Sequence, residues 1–314
     1  MPDGGSNTLV VGTRGSLLAV TQTNWVVERI RRHNPGLEVR VERISTRGDQ
    51  QPDVPLPQVG QKGIFTRELE EALCDGRIDL AVHSAKDLPQ DEDGPSGLAI
   101  LCVPPREDPR DALISREGRK LADLPTGATI GTSSLRRQAQ LRLVRSDLKF
   151  CVLRGNVDTR IKKVHRGDCD ATLLALAGLR RVGLTEHVTE ALDVDRMVPA
   201  PAQGILAVQG RAGDERVRGL LRPIHDDDAS LSLTHERMLV DRLGGGCATP
   251  IGALLTLDGR NVTLTAVVAS PSGDRGARAS HTVGRADAAD AVQHVLDELL
   301  AGGADEIIES CREE

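Results

Sequence analysis

Over the first two thirds of the chain, short apolar runs rich in β-branched residues alternate with stretches of helical period. That alternation predicts a parallel sheet with crossover helices. Residues 8–11 predict a strand that turns at Gly12-Thr13-Arg14-Gly15, with Ser16 as N-cap of a helix running to about His33 and stopped by Asn34-Pro35-Gly36. Residues 39–44 predict the next strand. A helix over about 64–74 puts Phe65, Leu69, Ala72 and Leu73 on one face and ends at Gly76. The scheme then repeats, with strands at 78–82, 128–130, 150–153 and 171–175. Gly131-Thr132-Ser133-Ser134 leads into one helix, and Arg154-Gly155-Asn156 into another over 157–165 that Gly167 closes. Past about Pro223 the texture changes to a helix over 229–242, a three-glycine run ending at Cys247, two strand-like runs flanking the turn Asp258-Gly259, and a long amphipathic helix over 286–301. A small α+β domain is expected there.

Composition narrows the picture. The 314 residues include one Trp, two Phe and no Tyr, so the cores are expected to be aliphatic and a base-stacking surface for nucleic acid is not. No apolar run approaches bilayer-spanning length, the first residues do not form a signal peptide, and a cytoplasmic protein is expected. The six cysteines have neither disulfide nor metal-finger spacing, and the histidines show no metal spacing. Although the formal charge is −6, residues 131–166 carry ten basic side chains against two carboxylates. A basic island in an acidic chain points to local capture of a small anion.

Ligands of open α/β sheets bind beyond the carboxyl ends of the strands. The polar groups just past each predicted strand are Arg14 and Ser16, then His83, Ser84, Lys86 and Asp87, then Thr132, Ser133, Arg136 and Arg137, then Arg154 and Asn156. If the topology holds, they converge on one cleft. Arg136 and Arg137 oppose the helix dipole in the first turn of their helix, an arrangement that makes sense if an anion sits there. A solvated basic face is the plain alternative. Asp87, a carboxylate among cations, is suited to stabilising a developing positive charge or moving a proton, although an Asp shaping the turn before Pro89 is the commoner case. Cys247 ends a glycine run and suits an attachment point or nucleophile, against the blander role of a buried thiol. The proline- and glycine-containing connection over 45–63 reads as a lid or a surface excursion.

Taken together, several strings resemble the porphobilinogen deaminase (hydroxymethylbilane synthase) family. They include Gly12-Thr13-Arg14-Gly15-Ser16, Thr46-Arg47-Gly48-Asp49, Lys62-Gly63-Ile64-Phe65, Ala81-Val82-His83-Ser84-Ala85-Lys86-Asp87 and Glu107-Asp108-Pro109-Arg110-Asp111-Ala112. Gly131-Thr132-Ser133-Ser134-Leu135-Arg136-Arg137, Leu153-Arg154-Gly155-Asn156-Val157-Asp158-Thr159-Arg160, Ala177-Gly178-Leu179, Pro201-Ala202-Gln203-Gly204 and Gly245-Gly246-Cys247 follow in order. The resemblance implies an α/β fold with two doubly wound, type II periplasmic-binding-protein-like domains (1–104 with 201–221, and 105–200) and a smaller α+β domain (223–314). It implies a monomeric transferase of tetrapyrrole (haem) biosynthesis that joins four porphobilinogen units head to tail, releases ammonia at each step and hydrolyses off hydroxymethylbilane. The growing chain hangs from a dipyrromethane cofactor in thioether linkage, here to Cys247.

Carried over by position, the resemblance makes Asp87 the catalytic carboxylate. It assigns Arg14, Ser16, Lys62, Ser84, Lys86, Thr132, Ser133, Arg136, Arg137, Arg154, Gly155, Asn156, Arg160 and Gln203 to substrate and cofactor, and the 45–63 loop to a mobile cover. Ala202 replaces the family's frequent Gly, Ala248 follows the cysteine where a polar residue is common, and tyrosine is absent. The rival class is a non-catalytic anion-binding protein on the same scaffold. Ligand capture alone, however, explains neither Asp87 among the cations nor a glycine-flanked cysteine.

Overall fold

The computed structural model describes residues 7–46, 66–89, 97–245 and 249–313. Lys62, Phe65, Cys247, Ala248 and the 45–63 connection beyond Thr46 lie outside the described residues. In chain order the elements are β1 (Thr8–Thr13), α1 (Leu17–His33), β2 (Glu38–Arg43), α2 (Arg67–Cys74), β3 (Leu80–Ser84) and β4 (Leu98–Cys102). Then come β5 (Asp111–Ser115), β6 (Thr129–Gly131), α3 (Leu135–Val144), β7 (Lys149–Cys151), α4 (Val157–Arg166), β8 (Ala171–Ala175), α5 (Leu176–Val182), β9 (Glu190–Ala191) and β10 (Leu206–Arg211). Last are α6 (Glu215–Leu221), α7 (Asp227–Arg242), β11 (Ile251–Asp258), β12 (Asn261–Ala269), β13 (Gly276–Gly284), α8 (Ala288–Ala301) and α9 (Ala304–Glu313).

The chain divides into two compact units, one of residues 1–106 with 205–230 and one of 107–204 with 231–314. In the first, the sheet order is β2-β1-β3-β10-β4. In the second it is β7-β6-β8-β5-β9. These follow one plan, in which the third strand from one edge is parallel to its inner neighbour and the fourth is antiparallel. The parallel pairing expected from the alternation holds for β2-β1-β3 and β7-β6-β8, while β10, β4, β5 and β9 pair antiparallel. The reason is topological. A parallel neighbour needs a crossover connection, whereas β5 and β10 each follow directly where the chain arrives from the other unit.

Local signals account for the elements that hold the site. Ser16 caps α1 by accepting the Ala19 N–H at 3.3 Å, and Ala19, Gln22, Thr23, Val26, Val27 and Ile30 form its buried face. Leu9, Val11, Val26, Ile30, Leu80, Val82, Leu206 and Val208 pack on that side of the first sheet, while Ile44, Leu69, Leu73, Ile78 and Ala81 form a second cluster with α2. Ser134 caps α3, and Gly167 ends α4 with φ 92°, where a side chain is disfavoured.

Within the second unit, β11-β12-β13 is an antiparallel meander with its own core of strand, α8 and α9 side chains, including Leu255, Leu264, Val292, Leu299 and Ile307. Val198, Leu254 and Val267 join this sheet to the five-stranded part, and the Ala253 N–H donates to the Pro199 carbonyl at 3.0 Å. Ala202 is the only non-glycine with positive φ (60°) among the described residues. It sits in the left-handed region that its replacement of glycine would tax, fixed by an N–H donated to Glu236 Oε2 at 2.6 Å. Among the described residues no helix is long and apolar enough to cross a membrane.

Candidate active site

In the first unit, the carboxyl ends of β1 and β3 open beside the start of α1. A pocket there is lined by Arg14, Ser16, Leu18, Ala19, Gln22, Thr66, Val82, His83, Ser84 and Asp87. Five residues singled out from sequence thus meet, namely Arg14, Ser16, His83, Ser84 and Asp87. Because Ser16 Oγ accepts from the helix, its O–H proton is available to a ligand. Gln22 Nε2 donates to Ser84 Oγ at 3.1 Å and so fixes that hydroxyl. Asp87 is exposed, at the end of the short 3-10 turn Ala85–Asp87, and Lys86 is half-buried beside it.

Deeper in the pocket lies His83, which is 6% exposed. Burial, with Arg14 adding to it, pushes its imidazole down to about 4, so the ring is neutral at physiological pH. Behind it is a buried polar pair, with Gln209 Nε2 donating to Glu70 Oε1 at 3.4 Å. Burial raises the Glu70 carboxyl above its ordinary range.

In the second unit, the strand ends of β6 and β7 carry two adjacent helix starts. Arg136 and Arg137, expected as guanidinium forks open to a ligand, are instead buried, at 5% and 7% exposure. An anion does sit at the start of α3, but it is the chain's own Asp111, which is fully buried at the first position of β5. Arg136 Nη1 lies 2.8 Å from Asp111 Oδ2 and donates to the Val198 carbonyl at 2.8 Å. Arg137 donates to Asp111 Oδ1 through Nε at 3.0 Å and Nη2 at 2.7 Å, and to the Leu173 carbonyl at 2.8 Å. Burial alone would raise the Asp111 carboxyl, but the two guanidiniums outweigh it and hold it well below the usual carboxylate range. Two cations against one anion leave the cluster a single net positive charge. What Arg136 and Arg137 offer a ligand is therefore that charge and the donors left over.

Gln203, also expected at the ligand, is fully buried. Its Nε2 donates to the Pro109 carbonyl at 2.7 Å and to Asp111 Oδ1 at 3.2 Å, so it packs the triad from behind. Thr132 is likewise buried, its hydroxyl accepting the Ser134 N–H at 3.2 Å, and it shapes the turn. Ser133 is exposed next to it, as is Asn156 at the N-cap of α4. Arg154 and Arg160 are half-buried. Arg160 Nε donates to the Gly155 carbonyl at 2.7 Å and Lys163 Nζ to the Arg154 carbonyl at 3.1 Å, wrapping cations round this turn.

Gly155 is required there. Its φ is 115°, and a Cβ would stand 2.7 Å from Thr159 Cγ2. Gly155→Ala is expected to cost about 1–3 kcal/mol. Urea unfolding checks this, and an unchanged midpoint would contradict the turn conformation described.

Asp111 was the functional residue that sequence reasoning left without a role. Its signal was available as the last of three acids in Glu107-Asp108-Pro109-Arg110-Asp111, ahead of the basic island.

Comparison with known proteins agrees with the motif strings. Residues 9–219 match the porphobilinogen deaminase, dipyromethane cofactor binding domain, and residues 230–301 match the porphobilinogen deaminase C-terminal domain. The porphobilinogen deaminase of Roseiflexus castenholzii is 46% identical over 302 residues, covering 96% of this chain and 99% of that protein. That of Syntrophotalea carbinolica is 46% identical over 303 residues, covering 96% of each. The porphobilinogen deaminase of Geobacter sulfurreducens is 46% identical over 302 residues, covering 96% of this chain and 94% of that protein. With both family domains matched in order and relatives aligned almost end to end, the chain belongs to the porphobilinogen deaminase family, enzymes of tetrapyrrole synthesis with a dipyrromethane cofactor.

Proposed function

We propose that this enzyme joins four porphobilinogen molecules head to tail, expelling ammonia at each junction, and hydrolyses off hydroxymethylbilane. The observation that carries the proposal is the pairing of an exposed Asp87 with Arg14, Ser16 and Ser84 in one pocket. Porphobilinogen brings an aminomethyl group and two carboxylate arms, and the pocket supplies one acceptor for the former and several donors for the latter. The Asp87 carboxylate holds the aminomethyl ammonium by a charge-assisted hydrogen bond. When the C–N bond breaks, the electron pair leaves with ammonia, and the positive charge that remains on the pyrrole methylene faces Asp87. Arg14, Lys86 and the Ser16 hydroxyl hold the acetate and propionate arms and fix the ring for attack.

The second unit fits a carboxylate-rich group. Its exposed Ser133 and Asn156, the cationic turn of Arg154 and Arg160, and the net positive charge of the Asp111 triad gather at adjacent helix starts. When bound through a thioether to Cys247, the dipyrromethane cofactor supplies the pyrrole end to which new units are joined. Lys62 is proposed to contact substrate, and the 45–63 connection to cover it. The chain acts in this account as a cytoplasmic monomer.

Intact-protein mass spectrometry tests the attachment. A purified chain heavier than the bare polypeptide by the dipyrromethane mass is expected, and Cys247→Ala is expected to return it to the polypeptide mass. An adduct that persists in Cys247→Ala removes that cysteine from the account.

A further inference from the structure

A buried polar atom without a partner costs about 1–3 kcal/mol, so such an atom in a native structure calls for a reason. His83 Nε2 is buried with no hydrogen-bond partner, as is Gln209 Oε1. Both belong to one face of the first sheet, for Ala81 pairs with Gln209 and His83 with Ala207 across β3 and β10. The Gln209 amide acts on the ring in the direction of raising its pKa, as a nearby carbonyl oxygen would, though short of hydrogen-bond geometry. A neutral imidazole has one N–H and one lone pair. If its N–H turns toward Gln209 Oε1, the lone pair of the other nitrogen is left, and the ring lines the pocket that holds Asp87.

The pocket is short of anionic acceptors. Arg14 is a pure donor, Ser16 Oγ accepts from the Ala19 N–H, Ser84 and the Gln22 amide are engaged with each other, and Thr66 adds a neutral hydroxyl. Asp87 is the one carboxylate that lines it. A porphobilinogen molecule brings two kinds of nitrogen-borne donor, its aminomethyl ammonium and its pyrrole N–H, which a carboxylate and a neighbouring neutral acceptor can divide between them.

We propose that His83 is a substrate-binding residue whose neutral imidazole accepts a hydrogen bond from a substrate N–H, while Gln209 and Glu70 hold the ring from behind. A neutral acceptor suits this place. It satisfies the donor without adding a second negative charge that would compete with Arg14 for the substrate's arms. The inference rests on the porphobilinogen reading above and adds to it the recognition of the substrate's nitrogen end.

The test is steady-state ammonia release from porphobilinogen by wild type, His83→Leu, His83→Asn and His83→Gln, with each rate divided by the adduct-bearing fraction from intact mass. His83→Leu is expected to raise KM about tenfold with kcat changed far less, the effect of one lost hydrogen bond. One of the two amide variants, whose oxygen can stand where the ring nitrogen stood, is expected to recover KM to within about threefold. A purely structural histidine would lower the active fraction and leave KM alone, and that result overturns the proposal, as does a kcat/KM for His83→Leu within twofold of wild type. If His83→Leu does not fold, His83→Asn and His83→Gln decide: a wild-type KM in one and a raised KM in the other supports the contact, and identical KM values in both overturn it. A wild-type protein that releases no ammonia sinks the porphobilinogen reading and this inference together, whereas an active wild type indifferent to His83 sinks this inference alone.

Discussion

Asp87→Ala is expected to slow ammonia release from porphobilinogen by about 10²–10⁴-fold, the range over which a positioned acid–base or electrostatic group acts. The unfolding midpoint should not move, because the side chain is exposed at the end of a short turn whose backbone is held independently, with the Leu88 N–H donating to the Ala85 carbonyl at 3.2 Å. That combination is informative. A large loss of rate with no loss of stability separates a residue that meets the reacting atoms from one that shapes the turn before Pro89. Asp87→Asn sharpens the distinction, since it keeps the shape and removes the charge. If charge opposite the departing nitrogen is what matters, Asp87→Asn should be nearly as slow as Asp87→Ala, and Asp87→Glu should recover part of the rate. Single-turnover ammonia release by the adduct-bearing protein is the measurement. A rate for Asp87→Ala within tenfold of wild type would remove the carboxylate from the mechanism.

The parts of the fold that were legible in the sequence are those set by near neighbours. Ser16 capping α1, Asn34 following its last turn and Gly167 closing α4 each depend on contacts within four residues, and each is where the residue types place it. The hairpin turn after Asp258 is likewise local, with Gly259 at φ 58°. By contrast, β5 and β10 are apolar runs of ordinary length whose direction follows from which unit the chain has just left. Nothing in their own residues encodes that. β4, β5, β9, β10 and β13 were not read as strands at all, since strands of this kind acquire their identity from pairing.

The same division runs through the site. The conflict between two arginines and a helix dipole was visible at Arg136 and Arg137, and the need for an anion followed from it. What could not be seen was that the anion lies 26 residues earlier in the chain, on a strand that runs antiparallel to its neighbour. Gln203, assigned to the ligand by the resemblance, donates to that same carboxylate as a third donor. His83 stood in the strand-tip set, yet its near-complete burial depends on β10 and α2 packing over it, which no local pattern announces.

Asp111→Ala is expected to be the most destabilising single change discussed, at about 3–5 kcal/mol, because it leaves two buried guanidiniums facing one another without their counter-charge. Against a typical total of roughly 5–15 kcal/mol this is enough to bring the second unit close to unfolding. Asp111→Asn should cost less, since one amide oxygen still accepts from Arg137 and Gln203. Arg137→Met made together with Asp111→Leu removes one charge of each sign, so this pair should be milder than Asp111→Ala if uncompensated charge is the cause. The pH dependence carries the same signature. The folded Asp111 carboxyl is held below its unfolded value of about 3.9. Its contribution is therefore complete above that pH and is lost as pH falls toward the folded value. Urea midpoints between pH 7 and pH 3 should then fall more steeply for wild type than for Asp111→Asn, which has no proton to gain at that position. Parallel midpoint curves, or an Asp111→Ala protein within about 1 kcal/mol of wild type, would mean that water reaches the triad and screens it.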